Sequence, residues 1–300
     1  KAFKETVKMT LDSHQCLLRG GRTVRHRNPV EKHYSLKGLN TNADLTDLVN
    51  RIEAFDRYQR KEAADRHGTM RLLFYGPPGT GKSELARFLA LKLDRELLVK
   101  QASDLLNAYV GGTEANIRRA FEEAEAEEAV LVIDEVDTFL FNRERAVRSW
   151  EISFTNEFLF QMERFQGILI GTTNRMIDLD HAAIRRFNFK VEFDYLKPDG
   201  NVIFYNRLLA PLCEKPADKK TKTSLARIAP LAPGDFRAVK DRFAIFPPET
   251  VAHSDLVGAL EQEAKIKKVH SGQKADRVLR TDFRPEIISV HSLTFLMLKC

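Results

Sequence analysis

Gly76-Pro77-Pro78-Gly79-Thr80-Gly81-Lys82-Ser83 is the stretch that decides the fold. It fills every fixed position of the phosphate-cradling pattern G-x-x-x-x-G-K-[ST]. Before it, Arg71-Leu72-Leu73-Phe74-Tyr75 is an apolar run of buried-strand length; after it, Leu85, Leu89 and Leu93 with Ala86 and Ala90 recur at helical spacing. Strand, glycine turn and helix together make the geometry that phosphate binding needs. Glycines let successive backbone N–H groups face the phosphates, and the helix start adds positive dipole. Lys82 brings a mobile charge to the β- and γ-phosphates, and Ser83 offers its hydroxyl to Mg2+. The implied ligand is a nucleoside triphosphate.

Outward from this loop, apolar runs alternate with amphipathic segments. Strands are expected at 71–75, 97–101, 130–134, 168–173 and 189–193, with helices near 82–93, 113–127 and 150–165. That alternation predicts an α/β fold of three αβα layers around a five-stranded parallel sheet. The acidic stretch Glu122 to Glu128 reads as the solvated face of the middle helix. Lys197-Pro198-Asp199-Gly200 reads as a turn cluster, after which strand patterning stops. Helices separated by Pro230, Pro233-Gly234 and Pro247-Pro248 then predict a small helical lid.

Val130-Leu131-Val132-Ile133-Asp134-Glu135 is a second chemical motif, an apolar strand delivering two carboxylates to its C-terminal end. Ligands of open α/β sheets gather at that edge. Asp134 is suited to hold Mg2+, and Glu135 to orient the water that attacks the γ-phosphate.

Composition narrows the class. A chain of 300 residues with 43% hydrophobic content is ordinary for a folded protein. No apolar stretch reaches the roughly 18 residues of a membrane span. No signal peptide is visible, and a chain beginning at Lys1 reads as a fragment of something longer. Cys16, Cys213 and Cys300 are odd in number and far apart, which fits reduced thiols of a cytoplasmic protein. The eight histidines show no metal-binding spacing. Charge is uneven: residues 1–33 and residues 265–300 each hold eight Lys or Arg against three Asp or Glu. Such basic ends suit a solvated face, an acidic partner or nucleic acid.

With these blocks in place, residues 34–245 resemble the AAA+ ATPases, and more narrowly their protein-remodelling clade. The resemblance implies a P-loop NTPase fold, a large ATPase domain over 34–197, a helical lid and tail over 198–300, and an N-terminal basic extension over 1–33. Ile168-Leu169-Ile170-Gly171-Thr172-Thr173-Asn174-Arg175 is similar to the family's sensor 1 strand, which would give Asn174 the γ-phosphate or the lytic water as partner. Leu179-Asp180-His181-Ala182-Ala183-Ile184-Arg185-Arg186-Phe187 is similar to the segment whose two arginines reach a neighbour's nucleotide. Many members separate those arginines by Pro-Gly; here they are adjacent, which leaves open whether Arg185 or Arg186 is the finger. Pro233-Gly234-Asp235-Phe236-Arg237 admits two readings, Gly234-Asp235 lying near adenine or Arg237 acting as a sensor 2 arginine. Tyr34-Ser35-Leu36-Lys37-Gly38-Leu39 looks like the linker that lies against the base, placing Gly38 at the nucleotide. Asn107-Ala108-Tyr109-Val110-Gly111-Gly112-Thr113-Glu114 resembles the first pore loop of hexameric unfoldases, where Tyr109 and Val110 would grip a polypeptide; packing of Tyr109 in the turn is the alternative. Asn142-Arg143-Glu144-Arg145-Ala146-Val147-Arg148-Ser149-Trp150 occupies the place of a second pore loop.

The resemblance therefore implies an ATPase that takes ATP and Mg2+ as cofactors, forms a homo-oligomeric ring of six, and acts on a protein substrate. Two competing readings stand beside it. One is a nucleic-acid-associated motor or loader, motivated by the basic ends; the other is an assembly switch gated by ATP.

Overall fold

The computed structural model describes residues 36–61, 68–141 and 149–281. Six strands form one sheet: β1 (Asn40–Thr41), β2 (Met70–Tyr75), β3 (Leu97–Gln101), β4 (Val130–Asp134), β5 (Ile168–Thr173) and β6 (Phe189–Asp194), in the order β1-β6-β2-β5-β4-β3. The five expected strands are mutually parallel. The sixth, β1, is an added edge strand. It is two residues long and pairs antiparallel with the end of β6, Asn40 opposite Asp194 and Thr41 opposite Phe193. Neither of its residues is apolar, so hydrophobic periodicity carried no sign of it.

The central parallel strands β2, β4 and β5 are buried on both faces and their side chains alternate between two cores, whereas β6 buries Val191 and Phe193 and exposes Lys190, Glu192 and Asp194. In β4, Val130 and Val132 face one core while Leu131 and Ile133 face the other; in β2, Leu72 and Phe74 oppose Leu73 in the same way. The first core is closed by α1 (Leu45–Lys61) and α2 (Lys82–Lys92), through Ile52, Leu85 and Leu89. The second is closed by α4 (Gly112–Ala126), which follows the short α3 (Ala102–Leu105), and by α5 (Ser149–Arg164). Its centre is aromatic: Phe139 stacks on Phe158 at 5.5 Å, and Phe158 meets Phe121 edge-on at 5.6 Å. Each such ring removed from water stabilises the layer by about 2–3 kcal/mol.

After the short α6 (His181–Ile184) and β6, a third core runs from Leu196 to Ala264. It joins α7 (Pro198–Phe204), which continues as a π-helical turn over Tyr205–Leu209, with α8 (Lys219–Arg227), α9 (Pro233–Phe243) and α10 (His253–Thr281). Lys197 to Gly200, expected as a turn, opens α7 instead, because Pro198 occupies the first helical position where a missing N–H costs nothing. Within the lid, the segment leaving β6 is tied to the one before α9, Leu196 donating to the Leu231 carbonyl at 2.7 Å. No helix among the described residues is long and apolar enough to cross a membrane. Cys213 is a free thiol; Cys16 and Cys300 lie outside the described residues.

Candidate active site

The order of the parallel strands places β2 between β5 and β6, with β4 next to β5, so the loops leaving β2, β4 and β5 converge on one edge. There a cavity of about 300 Å3 opens between the sheet and the lid. That volume lies at the small end of ligand-binding clefts.

Residues 76–83 bend as their glycines predict. Gly79 and Gly81 take φ of 75° and 104°, a left-handed backbone that side chains disfavour. Gly81 caps α2 without a side-chain acceptor, which leaves the first amides of the helix turned to the cavity. Gly76 has a different reason to be glycine: at φ 132°, a Cβ there would stand 1.9 Å from the Phe193 carbonyl. Pro78, Gly79, Gly81, Lys82 and Ser83 line the cavity. Gly76, Pro77 and Thr80 work from behind it, Thr80 Oγ1 donating to the Pro77 carbonyl at 2.8 Å.

Lys82 is 7% exposed and spends all three ammonium donors inside the protein. Nζ donates to the Gly76 carbonyl, the Pro77 carbonyl and Asn174 Oδ1, each at 2.8 Å. Burial pulls its pKa down from 10.5 to about 8, against the opposing pull of Asp134. A phosphate must therefore displace ready-made bonds, and Asn174 is held by one of them.

Asp134 ends β4 and accepts from the Thr172 hydroxyl on β5; its other carboxylate oxygen has no hydrogen-bond partner among the described residues. Ser83 and Asp134 both line the cavity and bring the oxygen donors that Mg2+ takes, so the residues present fit that ion. Glu135 is exposed and held at φ 57°, ψ 47°, a left-handed conformation that costs a non-glycine residue about 1–2 kcal/mol. Glu135 is among the residues that line the cavity. Next to it, Asp137 accepts from Thr173 Oγ1 at 2.6 Å, and Thr173 Oγ1 accepts from the Arg175 amide at 2.9 Å. This pair braces the turn carrying Asn174, a role that sequence reasoning missed.

The lid supplies the opposite wall. Gly234, near the start of α9, donates its N–H to the Gly79 carbonyl at 2.9 Å. Arg237 lines the cavity and stands 3.6 Å from Glu84 at the start of α2. Asp235 faces away: it accepts from the Ala232 amide at 2.7 Å and the Lys267 ammonium at 2.5 Å. Phe204 and Leu208 form an apolar wall that sequence reasoning also missed. Gly38, expected at the nucleotide, is not among the residues that line the cavity. It is packed behind that wall, where a Cβ would meet the Phe204 ring at 2.8 Å.

Arg185 is exposed and makes no hydrogen bond or ion pair among the described residues, whereas Arg186 pairs with Glu163 at 2.5 Å. Neither lines the cavity of its own chain. Far from it, Tyr109 and Val110 stand 83% and 104% exposed, which excludes packing in the turn as the role of Tyr109. Their loop has a firm base. Asn107 Oδ1 accepts from the Tyr109 amide at 3.0 Å, and the Asn107 amide donates to Thr113 Oγ1 at 2.9 Å. The second pore-loop segment expected at 142–150 lies outside the described residues apart from the backbone of Ser149 and Trp150. The basic extension over 1–33 also lies outside them.

Residues 72–195 match the family model described as "ATPase family associated with various cellular activities (AAA)". Spastin of Xenopus laevis is 29% identical over 216 residues, which cover 64% of this chain and 36% of that protein. Spastin of Gallus gallus is 26% identical over 231 residues, 73% of this chain and 37% of that protein. Drosophila melanogaster spastin is 32% identical over 165 residues, 52% and 22% respectively. The match thus spans about a third or less of the spastins' own length. Among solved structures, the FIGL-1 AAA domain in complex with ADP superposes with a TM-score of 0.53 at 22% identity, covering 77% of this chain and 87% of that one; this likeness speaks for the fold. The family match runs from β2 to the end of β6 and contains the phosphate loop, Asp134, Glu135 and Asn174, so this stretch of the chain is an AAA ATPase domain.

Proposed function

We propose that the chain is a Mg2+-dependent ATP hydrolase that works as a ring of six and couples hydrolysis to remodelling or threading a protein substrate through a central pore. The observation that carries this reading is the convergence of Lys82, Ser83, Asp134, Glu135, Asn174 and Arg237 on one cavity between sheet and lid. Lys82 exchanges its carbonyl bonds for β- and γ-phosphate oxygens, which frees Asn174 to meet the γ-phosphate or the water. Ser83 and Asp134 would hold Mg2+, which when bound would neutralise charge on the phosphates. Glu135 orients the water whose oxygen forms the new bond to the γ-phosphorus as the bond to ADP breaks. Phe204 and Leu208 shield the other end of the nucleotide from water. Arg237 reports lid closure, being fixed to α9 while facing α2.

The exposed arginine segment completes the site of a neighbouring subunit, where a cation supplied in trans raises the rate by about 10^3 to 10^5. Tyr109 and Val110 are the contacts to the polypeptide, a flat ring and a branched side chain that grip without reading sequence. Steady-state phosphate release tests the assignment. Glu135→Gln is expected to bind ATP and lose turnover by about 100-fold or more; turnover at the wild-type rate would remove Glu135 from the mechanism.

A further inference from the structure

Two adjacent arginines of one sequence motif have opposite surroundings. Arg186 donates from Nε to Glu163 Oε1 at 2.5 Å and from Nη1 to the Ala182 carbonyl at 2.8 Å. Arg185, one residue earlier, has no such partner among the described residues. The segment after them is anchored on two further sides. Phe187 is buried in the aromatic core, and Asn188 exchanges bonds with the backbone of Arg71 on β2, at 2.8 Å and 2.9 Å. Arg71 stands beside the cluster: its Nε is buried without a partner, and burial lowers its pKa, the Glu163 charge opposing that shift and the Arg186 charge adding to it. One carboxylate thus serves two guanidinium groups that repel each other.

We propose that Glu163 is a positioning residue that holds Arg186 within its own subunit as a strut, so that Arg185 alone is presented to the neighbour's γ-phosphate. The inference rests on the trans-acting arginine proposed above. Without the carboxylate, Arg186 Nε loses its partner, and Arg186 swings out with the turn that carries Arg185. Misplacing a catalytic group by about 1 Å is enough to cost up to 100-fold in rate.

The test is the ATPase of the full chain over a range of protein concentrations, with kcat and KM resolved and nucleotide affinity followed by a fluorescent ATP analogue. Arg185→Gln is expected to lower kcat by about 10^3-fold with affinity unchanged. Glu163→Gln and Arg186→Gln should each lower kcat by about tenfold at a KM within about twofold of wild type. Their double substitution should be no worse than either single one, because both break the same strut. Glu163→Asp, which keeps the negative charge in the cluster at shorter reach, should recover part of the loss and serves also if Glu163→Gln does not fold. The proposal is overturned if Glu163→Gln or Arg186→Gln turns over at the wild-type rate, or if Arg186→Gln is as inactive as Arg185→Gln. If Arg185→Gln itself keeps wild-type turnover, the trans-arginine reading falls, and the strut proposal with it.

Discussion

Adding ATP to the empty protein above neutral pH is expected to draw a proton onto Lys82. Burial lowers its pKa from 10.5 to about 8, so about half the empty sites hold a neutral Lys82 at pH 8 and about a tenth do at pH 7. Phosphate oxygens replacing the Gly76 and Pro77 carbonyls carry full negative charge and return the amine to its charged form. Uptake should therefore be about half a proton per ATP bound at pH 8, rising to about 0.9 at pH 9. Titration calorimetry at fixed pH, in buffers of different ionisation enthalpy, reads this number as a slope. At pH 8 and above the terminal phosphate itself is essentially deprotonated, since its last pKa lies near 6 to 7. Lys82→Arg, whose charge is fixed, should bind more weakly and take up none. The same shift has a stability consequence of definite sign. Between pH 8 and 10.5 the unfolded chain carries more protons on this lysine than the folded one. The empty protein therefore gains stability from this group as pH rises through that window, by at most about 3 kcal/mol. Saturating ATP should flatten the rise. A calorimetric slope of zero for the wild-type protein at pH 8 would refute the buried, charge-starved lysine on which this rests.

Three further perturbations probe separate features. Gly76→Ala drives a methyl into the Phe193 carbonyl, 1.9 Å from where its carbon must lie; a loss above about 4 kcal/mol is expected in urea unfolding, and a cost under about 1 kcal/mol would contradict the close approach. Gly234→Ala brings a Cβ to 3.1 Å from Gly79 Cα and 3.2 Å from its carbonyl oxygen, so the lid is wedged off the phosphate loop while α9 itself gains helix propensity. Melting should shift little, whereas the ATP Kd is expected to rise about tenfold, about 1.4 kcal/mol; an unchanged Kd would detach the lid contact from binding. Tyr109→Ala, at a position 83% exposed, should leave stability within about 0.5 kcal/mol and basal ATPase intact. It should abolish stimulation by a protein substrate, and persisting stimulation would move the grip elsewhere.

What could be read from the sequence, and what could not, divides by the range of the interactions involved. The central parallel strands were legible because they are buried on both faces, which turns every residue of a run such as Val130 to Ile133 apolar, and β6 because Val191 and Phe193 alternate with exposed Lys190 and Glu192. The edge strand Asn40–Thr41 was not, since it exists through pairing with residues some 150 positions away, helped by the Asn42 side chain accepting from the Glu192 amide at 2.9 Å. The charged part of the site was legible for a similar reason: Lys82, Ser83, Asp134 and Glu135 sit in contiguous motifs whose chemistry is local. Phe204 and Leu208 carry the same apolar spacing whether they face a core or a ligand. What makes them a wall is the approach of the lid, fixed by the Gly234 and Gly79 backbones meeting at 2.9 Å. Glu163 offered no signal at all, being an ordinary helix-end carboxylate until the fold brings Arg186 to it across 23 positions. The groups proposed to react are thus written in short motifs, while those proposed to aim them are assembled by the tertiary fold. It follows that two chains sharing every motif residue can differ in rate through positions such as Glu163, which no motif contains.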